Sequence, residues 1–170
     1  FSMAEAGLWI GLLSGGTGFL STLLGGFTAD WLARRDPSWA LRLCAVSVLS
    51  ALPFQLAFLL WPDPIVALFV FIPGGLLGGM WPPPSYAATQ NLVAPHMRAL
   101  ASAILLFFLN LIGLGAGPFA VGLLSDLLAP GFGDESVRWA LVIPLALNVV
   151  GGLCYWQASK SYAAELVAGK

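Results

Sequence analysis

An acid and two arginines stand about one helical turn apart in GGFTADWLARR, residues 25–35: Asp30, Arg34 and Arg35. They follow a long apolar run and a pair of glycines, Gly25 and Gly26. A carboxylate so placed can accept charge-assisted hydrogen bonds from arginine or from the N-terminus of a helix, whose dipole is positive. The arginines can form ion pairs or hold lipid phosphates. Other reactive side chains are scattered. His96 is the sole histidine, in a loop between Pro95 and Met97, and reads as a solvated residue. Cys44 and Cys154 each sit inside an apolar run and read as small packing residues. There is no metal-ligand cluster, no acid pair within an apolar run and no nucleophile beside a base, so no enzyme, metal or cofactor is expected.

The elements that position these residues follow from composition. Of 170 residues, 59% are hydrophobic and 9% charged, against about 25% charged in an average soluble domain. The mean hydropathy is +0.89. The chain therefore reads as an integral membrane protein embedded in a lipid bilayer, and a net charge of −1 gives no sign of a nucleic-acid surface. The opening FSMAEAG has no basic segment before its apolar run and does not read as a signal peptide. Five runs are long enough to cross a bilayer as helices, over residues 6–29, 43–61, 65–91, 99–125 and 139–159. The expected fold is all-α: a polytopic membrane helix bundle forming one transmembrane domain over residues 1–170.

Orientation follows from the basic residues. Arg34, Arg35, Arg42, Arg98, Lys160 and Lys170 fall on one side, and only Arg138 on the other, with the acids Glu5, Asp63, Asp134 and Glu135. The positive-inside rule then makes the arginine-rich loops and the C-terminus cytoplasmic and the N-terminus external. An odd number of spans with no soluble N-terminal segment suggests a fragment, or a numbering that starts within a longer protein. The spans are rich in small residues four apart, namely Gly11 and Gly15, Gly74 and Gly78, Gly75 and Gly79, and Gly113 and Gly117, a spacing that lets helix backbones approach closely. The third span is interrupted by GGMWPPPSY, residues 78–86, and such a break belongs inside a bundle or against a cavity, where its freed backbone groups find partners.

An internal echo links two places. GGFTADWL is followed by WALRL at Trp39, and VGLLSDLL by WALVI at Trp139, with Gly26 four before Asp30 and Gly122 four before Asp126. The first copy ends an inward-running span and the fourth span runs outward, so the copies are inverted, as in the repeats of many secondary transporters.

These residues resemble the major facilitator superfamily. Its signature loop has a glycine, an aspartate four later and a basic cluster, and GGFTADWLARR fits as Gly26, Asp30, Arg34 and Arg35. Trp31 stands where the strongest form has a basic residue and Ala33 where it has glycine, which resembles the relaxed copy between the eighth and ninth helices. GLGAGPFAVGLLSD, residues 113–126, is similar to the family's eleventh helix, and APHMRALASAI, residues 94–104, to its entry. With MAEAGLWIG at Met3 and NLIGLGAGP at Asn110, the set most resembles spinster-like members.

The resemblance implies that the five spans match helices eight to twelve of a C-terminal lobe built on inverted repeats. The partner would then be an N-terminal lobe that lies outside this chain and carries the family's coupling groups. It implies transport of a small molecule by alternating access in a secondary active transporter, in a bacterial inner (plasma) membrane. Asp30 would dock on a helix N-terminus of the other lobe when the cytoplasmic side closes, Arg34 and Arg35 adding ion pairs or lipid contacts. The simpler reading is that Asp30 caps a helix end and the arginines only set topology. Spans one, three and four would line the central cavity, with Thr17, Tyr86 and Asn110 the candidates to face a substrate. A wall so weakly polar suits an amphiphilic or lipid-like molecule. The alternative is a truncated, non-transporting membrane subunit with a structural or regulatory role.

Overall fold

The computed structural model describes residues Met3–Ala168, without the side chains of Met3, Ala4, Ala6, Asp134 and Ala168. Phe1 and Ser2 of the opening stretch, Lys170 of the basic tail and the Asp134 carboxylate lie outside the described residues. The chain forms α1 (Met3–Ala33), α2 (Trp39–Leu60), α3 (Pro64–Gly78), α4 (Pro82–Asn91), α5 (Arg98–Asn110), α6 (Gly117–Phe132) and α7 (Ser136–Ala168). A 3-10 turn, Pro95–Met97, leads into α5. A π turn, Leu111–Ala116, joins α5 to α6, and a second 3-10 turn, Gly133–Glu135, joins α6 to α7. No strand occurs among the described residues. In hydrocarbon every backbone group must find its partner within the segment, which a helix alone achieves for a single crossing. Five helical spans are long and apolar enough to cross a membrane: α1, α2, α3 with α4, α5 with α6, and α7.

The helices outrun the apolar runs that announce them. α1 continues through Asp30 to Ala33, and α7, with 33 residues, extends to Ala168. At 1.5 Å per residue α7 is about 50 Å long, against about 30 Å of hydrocarbon. Hydropathy marks where a helix leaves the lipid tails, whereas the backbone ladder continues until something breaks it. After α1 the first breaker is Pro37; after α6 the chain turns at Gly133, whose φ of 54° suits glycine.

α2 occupies the middle of the bundle, packed against α1, α3, α4 and α7. Its buried face is made of small residues, including Ala40, Cys44, Ala45, Ser47 and Ala51. The interrupted third span is resolved into two helices. Asp63 caps α3 by accepting from the backbone N–H groups of Ile65 and Val66 at 2.8 and 3.3 Å, with Pro64 in the first turn. α3 ends at Gly78, and Pro82 and Pro83 open α4, where a missing N–H costs nothing. Side chains of α2 serve the break: Ser47 Oγ donates to the Leu77 carbonyl at 2.5 Å and Cys44 Sγ to that of Trp81 at 3.5 Å.

The glycine pairs divide into two groups. Gly74 and Gly78 face α2, where a Cβ on Gly74 would stand 3.1 Å from Phe54 Cβ and one on Gly78 3.2 Å from Ala51 Cβ. Gly75 and Gly79 face Thr17 and Ser21 of α1. Gly11, Gly15 and Gly113 meet nothing within 4 Å, and Gly117 meets only its own chain at Ile112. Polar pairs then tie the spans together: Asn148 Nδ2 donates to Gln55 Oε1 at 3.3 Å, Gln90 Nε2 to Ser102 Oγ at 2.9 Å, and the hydroxyls of Ser125 and Ser136 meet at 3.1 Å. The fourth span is the least enclosed. α5 touches α4, α6 touches α7, and neither helix contains a buried residue.

Candidate functional site

GGFTADWLARR is mostly helix rather than turn. Gly25 through Ala33 belong to α1, and only residues 34–38 form the connection to α2. The turn is closed by the N–H groups of Arg35 and Asp36, both donating to the Leu32 carbonyl at 3.0 and 3.3 Å. Asp36, not singled out in the sequence, organises it. Its Oδ1 accepts the Ser38 N–H at 2.9 Å and its Oδ2 pairs with Arg42 at 3.1 Å. The Ser38 backbone N–H first, its hydroxyl next and the Arg42 charge after them hold the Asp36 carboxyl below its usual value of 3.8. Asp-Pro-Ser is the sort of sequence in which an aspartate bonds the backbone two residues on, and that signal was available in the residues alone.

The basic residues of this edge are unequal. The Arg35 guanidinium lies 4.6 Å from the centre of the Trp31 ring, so the tryptophan that departs from the family pattern gives Arg35 a cation–π seat. Arg42 lies 5.7 Å over Trp39 as well as on Asp36. Arg34 is exposed and makes no ion pair with a described residue.

Asp30 is also exposed and unpaired among the described residues. It lines a cavity of about 450 Å³ whose other walls include Gly26, Pro83, Asn91 and Tyr162. α1, α4 and the end of α7 therefore meet at this spot, since Tyr162 is 132 residues beyond Asp30 and no spacing rule connects them. Tyr162 is only 3% exposed, within a small apolar cluster with Ala40, Leu41 and Ala88. Of the two adjacent glycines, Gly25 is the one pressed against a neighbour. A Cβ there would lie 2.8 Å from Met80 Cα and nearer still to the Met80 carbonyl oxygen, whereas Gly26 would meet Pro83 Cβ at 3.9 Å.

The three candidate cavity residues lie apart, and no hydrogen bond joins them. Thr17 is buried, donates to the Leu13 carbonyl at 2.6 Å and packs on Gly75. It belongs to a stripe of small buried residues four apart on α1 (Thr17, Ser21, Gly25 and Ala29) that seats this helix on α3 and the α3–α4 break. Tyr86 is half-buried on α4. Asn110 is exposed, with its amide on the Leu106 carbonyl at 2.7 Å, just before the π turn. The tyrosine that does bond across helices is Tyr155, whose hydroxyl meets Ser85 Oγ at 2.7 Å, while Ser85 also contacts Cys44 Sγ at 3.5 Å. This buried chain links α7, α4 and α2. His96 lies exposed in the 3-10 turn before α5, and Asp126 lies within α6, which continues to Phe132.

Five apolar helical spans, with large hydrophobic side chains exposed along them, define an all-α integral membrane protein. The chain is 39% identical over 168 residues to an MFS-type efflux pump of Mycolicibacterium smegmatis, a match covering 98% of the chain and 39% of that relative. It is 29% identical over 152 residues to the sphingosine-1-phosphate transporter SPNS2 of Xenopus tropicalis, covering 82% of the chain and 29% of the relative. It is likewise 29% identical over 154 residues to protein spinster homolog 3 of Danio rerio, with shares of 84% and 30%. The chain thus spans about two fifths or less of the lengths of these relatives. No family model matches it. By these relatives, its sequence similarity is to the major facilitator superfamily, spinster-type members included.

Proposed function

We propose that this chain is the C-terminal lobe, helices eight to twelve, of a secondary active transporter that moves a small amphiphilic or lipid-like molecule by alternating access. The reading is carried by the 39% identity to an efflux pump along 98% of the chain. The excess of basic residues on the Asp30 side favours a cytoplasmic location for that edge and for the C-terminus, in a bacterial inner membrane. The partner in this reading is an N-terminal lobe, facing the open sides of α1 and of α5 with α6.

Within it Asp30 is the cytoplasmic latch. Its carboxylate makes no ion pair among the described residues and accepts the N–H groups of a helix end from the other lobe when the inner side closes. Arg34, likewise unpaired here, supplies the cross-lobe ion pair. Arg35 stays on Trp31, and Gly26 gives the incoming helix room beside Asp30. Tyr86 and Asn110 face the substrate path, and Thr17 supports it by holding α1 on α3.

The test is reconstitution of the full-length protein in proteoliposomes, with uptake of fluorescent amphiphiles followed with and without a proton gradient. Gradient-dependent flux is expected, and Asp30→Asn should shift the gate by about tenfold or more, the worth of a hydrogen bond to a charged group. Folded protein that moves none of the amphiphiles under any gradient would point instead to a structural or regulatory subunit.

A further inference from the structure

On the transport reading, we propose that Asp126 is an outer latch: its carboxylate holds a helix N-terminus of the other lobe when the external side closes, as Asp30 does on the internal side. The echo between the pair Gly26 and Asp30 and the pair Gly122 and Asp126 then has a mechanical meaning. The five spans alternate in direction, so α6 ends at the membrane edge opposite to that of α1. Both acids stand within two turns of those helix ends, Asp30 before Ala33 and Asp126 before Phe132. Both are exposed and make no hydrogen bond or ion pair with a described residue.

Asp126 is not placed as an ordinary solvated edge residue. Elsewhere Asp36 is held by Ser38 and Arg42, Asp63 caps α3, and Glu135 pairs with Arg138 at 3.3 Å. Asp126 instead lies inside an apolar run: Phe119 and Leu123 precede it, Leu127 and Phe132 follow it, and all four are exposed. A charge so flanked is expensive unless a partner meets it. Ser125, next in the chain, holds this turn on α7 through the Ser136 hydroxyl at 3.1 Å, while Asp126 stays exposed. One turn before each acid the backbone is bare. A Cβ on Gly122 would meet nothing within 4 Å, and one on Gly26 would meet Pro83 Cβ at 3.9 Å. A helix end can therefore come close beside either acid. The occupant must bring donors, because an ionised carboxylate only accepts. A helix N-terminus brings several backbone N–H groups and the positive end of a dipole. The segment that supplies it lies in the part of the protein beyond this chain, whose match covers 39% of the efflux-pump relative. With one latch at each edge, closing the inner side seats Asp30 and draws Asp126 off its partner. Loss of either latch shifts the population toward the state in which that side is open.

The experiment uses the full-length protein in oriented membrane vesicles. Cys154, an exposed thiol, is replaced by alanine in a background without other reactive thiols, and a reporter is introduced as Phe119→Cys or Leu23→Cys. Both reporter positions are exposed, and each lies seven residues, about two turns, deeper than its acid on nearly the same helix face. A membrane-impermeant maleimide added to one side reads how often that side opens. Asp126→Asn should raise external labelling of Phe119→Cys about tenfold, the worth of a hydrogen bond to a charged group, and should lower internal labelling of Leu23→Cys. Asp30→Asn should do the reverse. Gly122→Leu should act as Asp126→Asn does, because the added side chain starts in open space yet blocks the incoming helix, and it reads the latch if Asp126→Asn does not fold. A shift from Asp30→Asn with none from Asp126→Asn or Gly122→Leu overturns the outer latch and leaves the transport reading standing. If no variant moves either rate, the lobes do not exchange and both readings fall. A rise at both reporters in Asp126→Asn, the mark of a loosened fold, also overturns the assignment.

Discussion

Gly25 and Gly26 are adjacent in sequence, and the structure predicts opposite outcomes for the same substitution at each. A Cβ on Gly25 would come 2.8 Å from Met80 Cα, and nearer to the Met80 oxygen, where ordinary contact begins at about 3.4 Å. The obstacle is backbone at the α3–α4 break, so no side-chain rotation relieves it. α1 and the break would have to part by about 0.6 Å or more, loosening the contacts of Thr17 and Ser21 on the same stripe. Overpacking of this kind costs about 1–3 kcal/mol. At Gly26 the nearest atom to a new Cβ is Pro83 Cβ at 3.9 Å, so the added methyl fits. There the gain in helix propensity, up to about 1 kcal/mol for alanine over glycine, decides the sign. Gly25→Ala should therefore destabilise and Gly26→Ala should be neutral or mildly stabilising. Reversible unfolding of each variant in mixed detergent micelles, as the SDS fraction is raised, measures the difference. Equal losses at the two positions, or a greater loss at Gly26, would refute the packing of α1 on the α3–α4 break described above.

Tyr155→Phe removes the hydroxyl that meets Ser85 at 2.7 Å and should cost about 0.5–1.5 kcal/mol in the same unfolding assay, and Ser85→Ala should cost less in that background than alone, the remainder being its contact with Cys44. Trp31→Ala should free Arg35 and lower stability by about 0.5–1 kcal/mol, an effect that fades when Arg35 is already replaced by alanine. Asp36 has a folded-state pKa below 3.8 because the Ser38 N–H and hydroxyl, and then Arg42, favour its charged form. A depressed carboxyl contributes stability that is complete above its unfolded pKa and is lost as the pH falls through the folded value. Unfolding curves for the parent and Asp36→Asn should differ above about pH 4 and converge in stronger acid.

Much of the fold is legible in the sequence. Sparse charge, five apolar runs and helix-compatible backbone chemistry leave a polytopic helical membrane protein as the solution, because lipid satisfies no backbone hydrogen bond. The break at GGMWPPPSY was visible for the same reason, since three consecutive prolines cannot continue a helix already under way. The composition of GGFTADWLARR likewise marked it as a membrane edge. What composition could not supply was direction around each helix axis. Four glycine pairs share one spacing, yet only the two on α3 sit between helices, because close approach depends on which neighbour lies across from the stripe. That Thr17 packs α1 on Gly75 could not be read from its position in the span. The cavity beside Asp30 needed folding most of all: Tyr162 lines it from α7, whose late turns pack against Ala40 and Leu41 of α2 and Ala88 of α4. Hydropathy along a chain records the depth of each residue in the bilayer; which residues share a cavity at one depth is set by how the helices rotate and pack, and only the tertiary structure decided that.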